Sequence, residues 1–133
     1  MENIIVSGKR KMAVAKLRVS SGSGEIFFNG LNHNELILFH KLALLEPVRI
    51  YESVLGPVKY NFQIKVKGGG KEGQIQAARL AIAKALVKIT SSDVLRKAYI
   101  SYDRNIIVPD SRRKEARKPG DSKARAKRQK SYR

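Results

Sequence analysis

Lys59-Tyr60-Asn61-Phe62-Gln63-Ile64-Lys65-Val66-Lys67, followed by Gly68-Gly69-Gly70 and the run from Lys71 to Ile89, is the stretch on which the fold turns. Tyr60, Phe62, Ile64 and Val66 alternate with Lys59, Asn61, Gln63, Lys65 and Lys67, so the period of two predicts a strand with one core face and one polar, basic face. The three glycines break it. Beyond them Ile75, Ala78, Ile82, Leu86 and Ile89 recur at helical spacing, and five alanines in the same span favour a helix.

Toward the N-terminus, Ile4-Ile5-Val6 reads as a short strand, and Ala13, Ala15, Leu17 and Val19 alternate with Val14, Lys16 and Arg18 as a second. Ser20-Ser21-Gly22-Ser23-Gly24 is turn chemistry and Glu25 to Phe28 is apolar again, which predicts a hairpin over Met12 to Phe28 with a four-to-five-residue loop. Leu36 to Leu45 is too long for a buried strand and predicts a helix ending before Pro47, because the residue preceding proline is pushed out of the α region. Arg49 to Leu55 predicts a short helix stopped by Gly56-Pro57. Toward the C-terminus, Ser91-Ser92-Asp93 offers an N-cap for a helix through Ile100, and Tyr102 to Val108 is expected to return to the sheet. These elements imply an α+β class, with helices packed on one face of a mixed or antiparallel sheet, taken as a four-to-five-stranded mixed sheet, and basic residues on the other.

Twenty-eight Lys plus Arg against 11 Asp plus Glu leave the 133-residue chain at +17, with a pI near 10.5. Such a charge on a compact body calls for a polyanion, and nucleic acid is the leading candidate. The charge is uneven. Residues 1–110 carry 17 basic and 9 acidic side chains, whereas residues 111–133 carry 11 basic and 2 acidic with Ala116, Ala124, Ala126 and Tyr132 as the sole apolar residues. The division places one globular α+β RNA-binding domain in 1–110 and a basic, extended tail in 111–133 that is disordered without a partner.

Absence of cysteine excludes disulfides, thiolate metal sites and a Cys nucleophile. The longest nearly apolar stretch, Leu36 to Leu45, includes His40 and Lys41, and Met-Glu-Asn begins no apolar leader, so a cytoplasmic protein without a membrane partner is expected. His33 and His40 have only Glu35 near them as a further ligand, and the carboxylates are scattered singly, so neither a metal nor a cofactor is expected and no catalytic residue is assigned. Gly68 to Gln74 matches neither a Walker loop nor a dinucleotide fingerprint. Two readings of the glycines stay open: a strand-to-helix turn requiring positive φ, or close approach to an RNA phosphate. The candidate RNA-binding residues are Lys9, Arg10, Lys11, Lys65, Lys67, Gly68, Gly69, Gly70, Lys71, Arg104, Arg112, Arg113, Lys114, Arg117, Lys118, Lys123, Arg125, Lys127 and Arg128. Few exposed aromatics are expected, which argues against a stacking platform of the RRM or OB kind.

Ordered motifs along the chain carry a resemblance. Ser7-Gly8-Lys9-Arg10-Lys11 with Ala13-Val14-Ala15, Glu46-Pro47, Val66 to Gly70, Gly73-Gln74 followed by Ala77, Arg79, Ile82 and Ala85-Leu86, then Asp103-Arg104, Asp110-x-Arg112-x-x-Glu115, Ala124-Arg125 and the terminal Gln129-Lys130-Ser131-Tyr132-Arg133 are similar to the small-subunit ribosomal protein nine family in its archaeal and eukaryotic form. Arg117 to Ser122 departs from that pattern, with Pro119 and Asp121 intervening. The resemblance implies a fold like the second domain of ribosomal protein five and a structural, non-enzymatic role in the cytoplasmic ribosome. It implies small-subunit rRNA of the head and neighbouring small-subunit proteins as partners, and a tail whose Lys130, Tyr132 and Arg133 reach peptidyl-site tRNA. Two alternatives stand beside it: an extra-ribosomal basic RNA-binding protein or chaperone, and, more remotely, a small-molecule kinase of the same superfamily, which would need a serine-bearing helix start that residues 68–77 do not supply.

Overall fold

The computed structural model describes residues 4–113 and residue 116. Five strands, β1 (Ile4–Arg10), β2 (Ala13–Ser21), β3 (Ile26–Phe28), β4 (Leu31–Asn32) and β5 (Tyr60–Lys67), form a mixed sheet in the order β1-β2-β5-β3-β4. There are three described helices, α1 (Leu38–Leu55), α2 (Lys71–Thr90) and α3 (Asp93–Tyr102), with a 3-10 turn at His33–Glu35 before α1 and another at Arg104–Ile106 after α3. Helix α2 lies against β1, β2 and β5, while α1 and α3 pack on α2 and on each other. The core is therefore one layer, with Ala13, Ala15, Leu17, Phe62, Ile64, Ile75, Ala78, Ile82 and Leu86 between sheet and helices.

Both ends of β5 and α2 agree with the alternation and the helical spacing. Ser92 accepts a hydrogen bond from the Leu95 amide and caps α3 as expected. Four features differ. The Met12–Phe28 segment is not a hairpin, because β5 is inserted between β2 and β3, antiparallel to the first and parallel to the second. The eight-pair register from Val14↔Lys67 to Ser21↔Tyr60 offers β2 a far longer ladder than three-residue β3 would. Asn61 fastens the crossing, its Oδ1 accepting from the Gly24 and Glu25 amides at 3.2 and 3.0 Å. The tight hairpins lie instead at Lys11-Met12, joining β1 to β2, and at Asn29-Gly30, where φ of 51° and 86° suits a primed turn between β3 and β4. The first strand also extends past Val6 to Arg10 because β2 supplies partners along its whole length.

Helix α1 runs through Pro47 rather than ending before it, and it absorbs the separate short helix expected over Arg49 to Leu55. A proline inside a helix removes one backbone hydrogen bond and costs about 3 kcal/mol in isolation. Here the penalty is offset by burial, since Leu44, Pro47, Val48 and Tyr51 form one inward face. Tyr102 to Val108 does not return to the sheet. Asp103 caps a 3-10 turn by accepting from the Asn105 amide, and Ile106 and Ile107 satisfy their apolar character in the helical layer. Contact with the sheet comes later, as a parallel bridge between Arg10 and Asp110.

Tyr99 is fully buried and its hydroxyl donates to the Pro47 carbonyl at 2.7 Å, tying α3 to the irregular point of α1. Burial, reinforced by neighbouring Tyr51, pushes the Tyr99 phenol well above its ordinary value. The folded state thus keeps a proton that the unfolded chain releases, and stability held below about pH 10 falls as pH rises beyond it. Tyr99→Phe should lower stability by about 1 kcal/mol at neutral pH and flatten that alkaline decline, as read from urea titrations at neutral pH and above about pH 10. An unchanged alkaline limb would remove Tyr99 as its cause.

Candidate nucleic-acid interface

Strand alternation divides the sheet into a covered face and an open one, and the register sorts the open face into rows. Lys9, Val14 and Lys67 form one row; Ser7, Lys16 and Lys65 the next; Ile5, Arg18, Gln63, Phe27 and Asn32 the third. Lys9, Lys16, Arg18, Lys65 and Lys67 are all exposed. None of the five described strands contains Asp or Glu, and exposed Glu25, just before β3, is the acid at the border of this strongly basic surface among the described residues. Lys16 stands directly opposite Lys65, an arrangement that destabilises a sheet by itself. Neighbouring rows are about 7 Å apart along the strands and neighbouring strands about 4.8 Å apart, which sets the spacing of these cations.

Lys9, Lys65 and Lys67 were legible from the basic clusters, but Lys16 and Arg18 were passed over as candidate contacts. Their polar phase in β2 was visible in the alternation. What joins them to Lys65 and Lys67 is the β2–β5 register, which no local signal in β2 contains.

A second basic zone borders one end of the sheet. Lys11 and Met12 in the β1–β2 turn face the glycine run and Lys71, bounding a cleft of about 400 Å³, and Arg112 and Arg113 close another of about 630 Å³ around Arg10, Lys11 and Met12. Asp110 organises this zone. It pairs with Arg10, and it accepts from Arg112 through Nε at 2.8 Å, through Nη2 at 2.7 Å and through the backbone amide at 2.9 Å. Arg10 and Arg112 are thereby partly neutralised within the protein, whereas Lys11, Lys71 and Arg113 are exposed without a carboxylate partner among the described residues.

The glycines resolve individually. Gly68 and Gly69 have φ of 78° and 65°, and a Cβ on Gly68 would sit 2.6 Å from the Met12 carbonyl oxygen. Both are required by the turn and its packing on the β1–β2 hairpin. Gly70 is extended, with open space around it, and begins α2. Gly68→Ala should therefore lose more than about 1 kcal/mol, while Gly70→Ser should be neutral or slightly stabilising, since serine is a preferred N-cap. Chemical denaturation of both variants checks the pair; equal losses would contradict this division.

Arg104 is on the 3-10 turn of the helical layer, between Asp103 and Asn105, which line a cavity together with Lys9, Arg10 and Asp110. Nearby Arg79 is buried and pairs with Glu46 at 2.6 Å and Asp103 at 3.5 Å, an ion cluster that ties α1, α2 and the end of α3 together. His40 meets Glu72 at 2.8 Å, and among the described residues no group of three potential metal ligands converges. Lys114, Arg117, Lys118, Lys123, Arg125, Lys127, Arg128, Lys130, Tyr132 and Arg133 lie outside the described residues. No described helix is long and apolar enough to cross a membrane.

Comparison with known proteins adds a relationship to this geometry. Residues 8–133 match the model of a family described as ribosomal protein S9/S16. Curated relatives called small ribosomal subunit protein uS9 are 44% identical in Thermoplasma volcanium, 39% in Methanococcus vannielii and 40% in Methanococcus maripaludis, each alignment covering 100% of both chains.

Proposed function

The chain belongs to the ribosomal protein S9/S16 family, and on that premise we propose that it is a structural constituent of the small subunit of the cytoplasmic ribosome that binds rRNA in the head through its open sheet face and adjoining basic rim. The observation that carries this reading is the cluster of cations on that face: Lys9, Lys16, Arg18, Lys65 and Lys67 are exposed together, with the described helices on the other side. Lysine and arginine arrayed at this spacing neutralise successive phosphates, and affinity then comes chiefly from counterion release. The rim at Lys11, Lys71 and Arg113 extends the same surface toward residues 111–133, which add nine net positive charges. Neighbouring ribosomal proteins of the head are also expected as partners, supported by the exposed apolar start of α1 at Leu38 and Phe39.

The kinase alternative is weakened by the glycine run, since Gly68 and Gly69 are committed to packing on Met12 and Ala13 rather than left to cradle a nucleotide. RNA binding and the domain division are tested together. With about eight phosphate contacts to single-stranded RNA, log K should fall against log salt with a slope of roughly −5 to −6. Deleting residues 111–133 should reduce that slope while leaving the melt of 1–110 within about 1 kcal/mol of the full chain. Replacing Lys16, Lys65 and Lys67 by Gln in the full chain should shallow it by about 2. A slope near −1 in the parent would refute phosphate-dominated binding, and a truncated chain without a cooperative melt would refute the division.

The tail's end, Lys130, Tyr132 and Arg133, is proposed to contact peptidyl-site tRNA. An extended 23-residue arm reaches at most roughly 75 Å, enough to leave the globular body. The full chain should co-sediment with small subunits in high salt, which an extra-ribosomal chaperone would not. Removing residues 129–133 should leave that association intact while weakening peptidyl-site tRNA binding by an amount on the order of 1.5–3 kcal/mol for each charge-assisted bond lost. Equal tRNA affinity in parent and truncated subunits would assign the tail's end to rRNA instead.

A further inference from the structure

The open face carries one feature that charge does not explain. Among the described residues Phe27 is the single aromatic on this face: Ile26 and Phe28 point into the core, and Phe27, between them, faces outward and is partly buried. It lies opposite Gln63 of β5 and Asn32 of β4 in the third row. Phe27, Gly30, Gln63, Ile64 and Lys65 line a mainly apolar cleft of about 240 Å³. The Asn29-Gly30 turn keeps its mouth open, because Gly30 has no side chain and nothing approaches its missing Cβ within 4 Å. At this size the cleft falls below the ~300–1,000 Å³ typical of sites for drug-sized ligands and suits one planar ring.

We propose that this cleft receives a single unpaired nucleobase of the bound RNA, stacked on Phe27, with Gln63 at the base edge and Lys65 holding an adjoining phosphate. The inference deepens the RNA-binding reading and rests on it. Charge complementarity selects the occupant: Lys65 lines the cleft, Lys16 stands across the ladder from Lys65, and Arg18 stands opposite Gln63, so three cations border the apolar slot against the one nearby carboxylate of Glu25, which precedes β3. A duplex keeps its bases stacked inside, whereas a loop or bulge can turn one out onto an aromatic ring. The exposed Gln63 amide offers both a donor and an acceptor to the base. One ring makes this a single-base slot rather than a platform for successive bases.

The test uses the full chain with a single-stranded RNA oligonucleotide of mixed sequence and a perfect duplex of equal length. Stacking on an aromatic side chain contributes about 1–3 kcal/mol per base, which is roughly 5- to 150-fold in affinity. Phe27→Leu, which keeps an apolar side chain in the strand, should weaken single-strand binding by about fivefold or more while leaving the salt slope and the duplex affinity unchanged. Phe27→Trp should bind at least as tightly as the parent, and ultraviolet cross-linking should join the single strand to the peptide containing Phe27. Thermal melts verify that both variants are folded. Single-strand affinity unchanged in Phe27→Leu, with the parent's steep salt dependence retained, would overturn the slot and leave the electrostatic reading standing. Loss of salt-dependent RNA binding in the parent would overturn both.

Discussion

Everything in this fold depends on how closely α2 approaches the sheet. A Cβ placed on Gly8 would fall 2.4 Å from the Ala77 carbonyl oxygen and 2.9 Å from the Ala81 amide, so β1 and α2 meet backbone to backbone. Ala13 and Ala15 on β2 and Ala77, Ala78, Ala81 and Ala85 on α2 extend the contact, all fully buried. Small residues on both sides narrow the gap between layers and leave room for the larger Leu17, Phe62, Ile64 and Ile82 to fill the rest of the core. With α2 seated this tightly, α1 and α3 are assembled on it rather than across the sheet, and the far face of the sheet is left uncovered.

That bare face is where sequence, packing and function converge. The same alternation that sends Phe62, Ile64 and Val66 to α2 sends Gln63, Lys65 and Lys67 outward, and the β2 register adds Lys16 and Arg18. The glycine run serves this arrangement indirectly. By packing on Met12 and Ala13, Gly68 and Gly69 fix the turn that joins β5 to α2 and bring Lys71 near Lys11. Asp110 adds the remaining constraint, because its pairings with Arg10 and Arg112 set the point at which the chain leaves the sheet.

Much of this was readable from residues that state their environment locally. Strand β5 announced itself by strict alternation, α2 by apolar spacing and alanine content, and α3 by Ser92. The α+β class and the location of the basic side chains followed. What escaped was information held in pairing rather than in pattern: alternation around Val19 and Phe28 identifies strands without identifying neighbours, so the insertion of β5 was invisible. Asn29-Gly30 did carry a readable hairpin signal, and it names the partner of β3 as the residues after the turn. Pro47 misled because proline's local penalty was outweighed by a continuous buried face that is apparent once α2 and α3 are in place. Ile106-Ile107-Val108 misled because an apolar run reports burial, and burial in the helical layer looks the same in sequence as burial in a strand.

The two edges of the sheet bear on what happens before any partner is met. An exposed, long, flat edge invites another chain to add a strand and start an aggregate. Here one edge is β4, two residues long, and the other is β1, whose far end is bridged by Asp110 and flanked by Lys9 and Arg10. A second copy approaching β1 would also bring its own field of lysines against this one, and repulsion between like faces would act before any ladder formed. A strongly basic face of this kind therefore also opposes strand addition by a second copy of the chain.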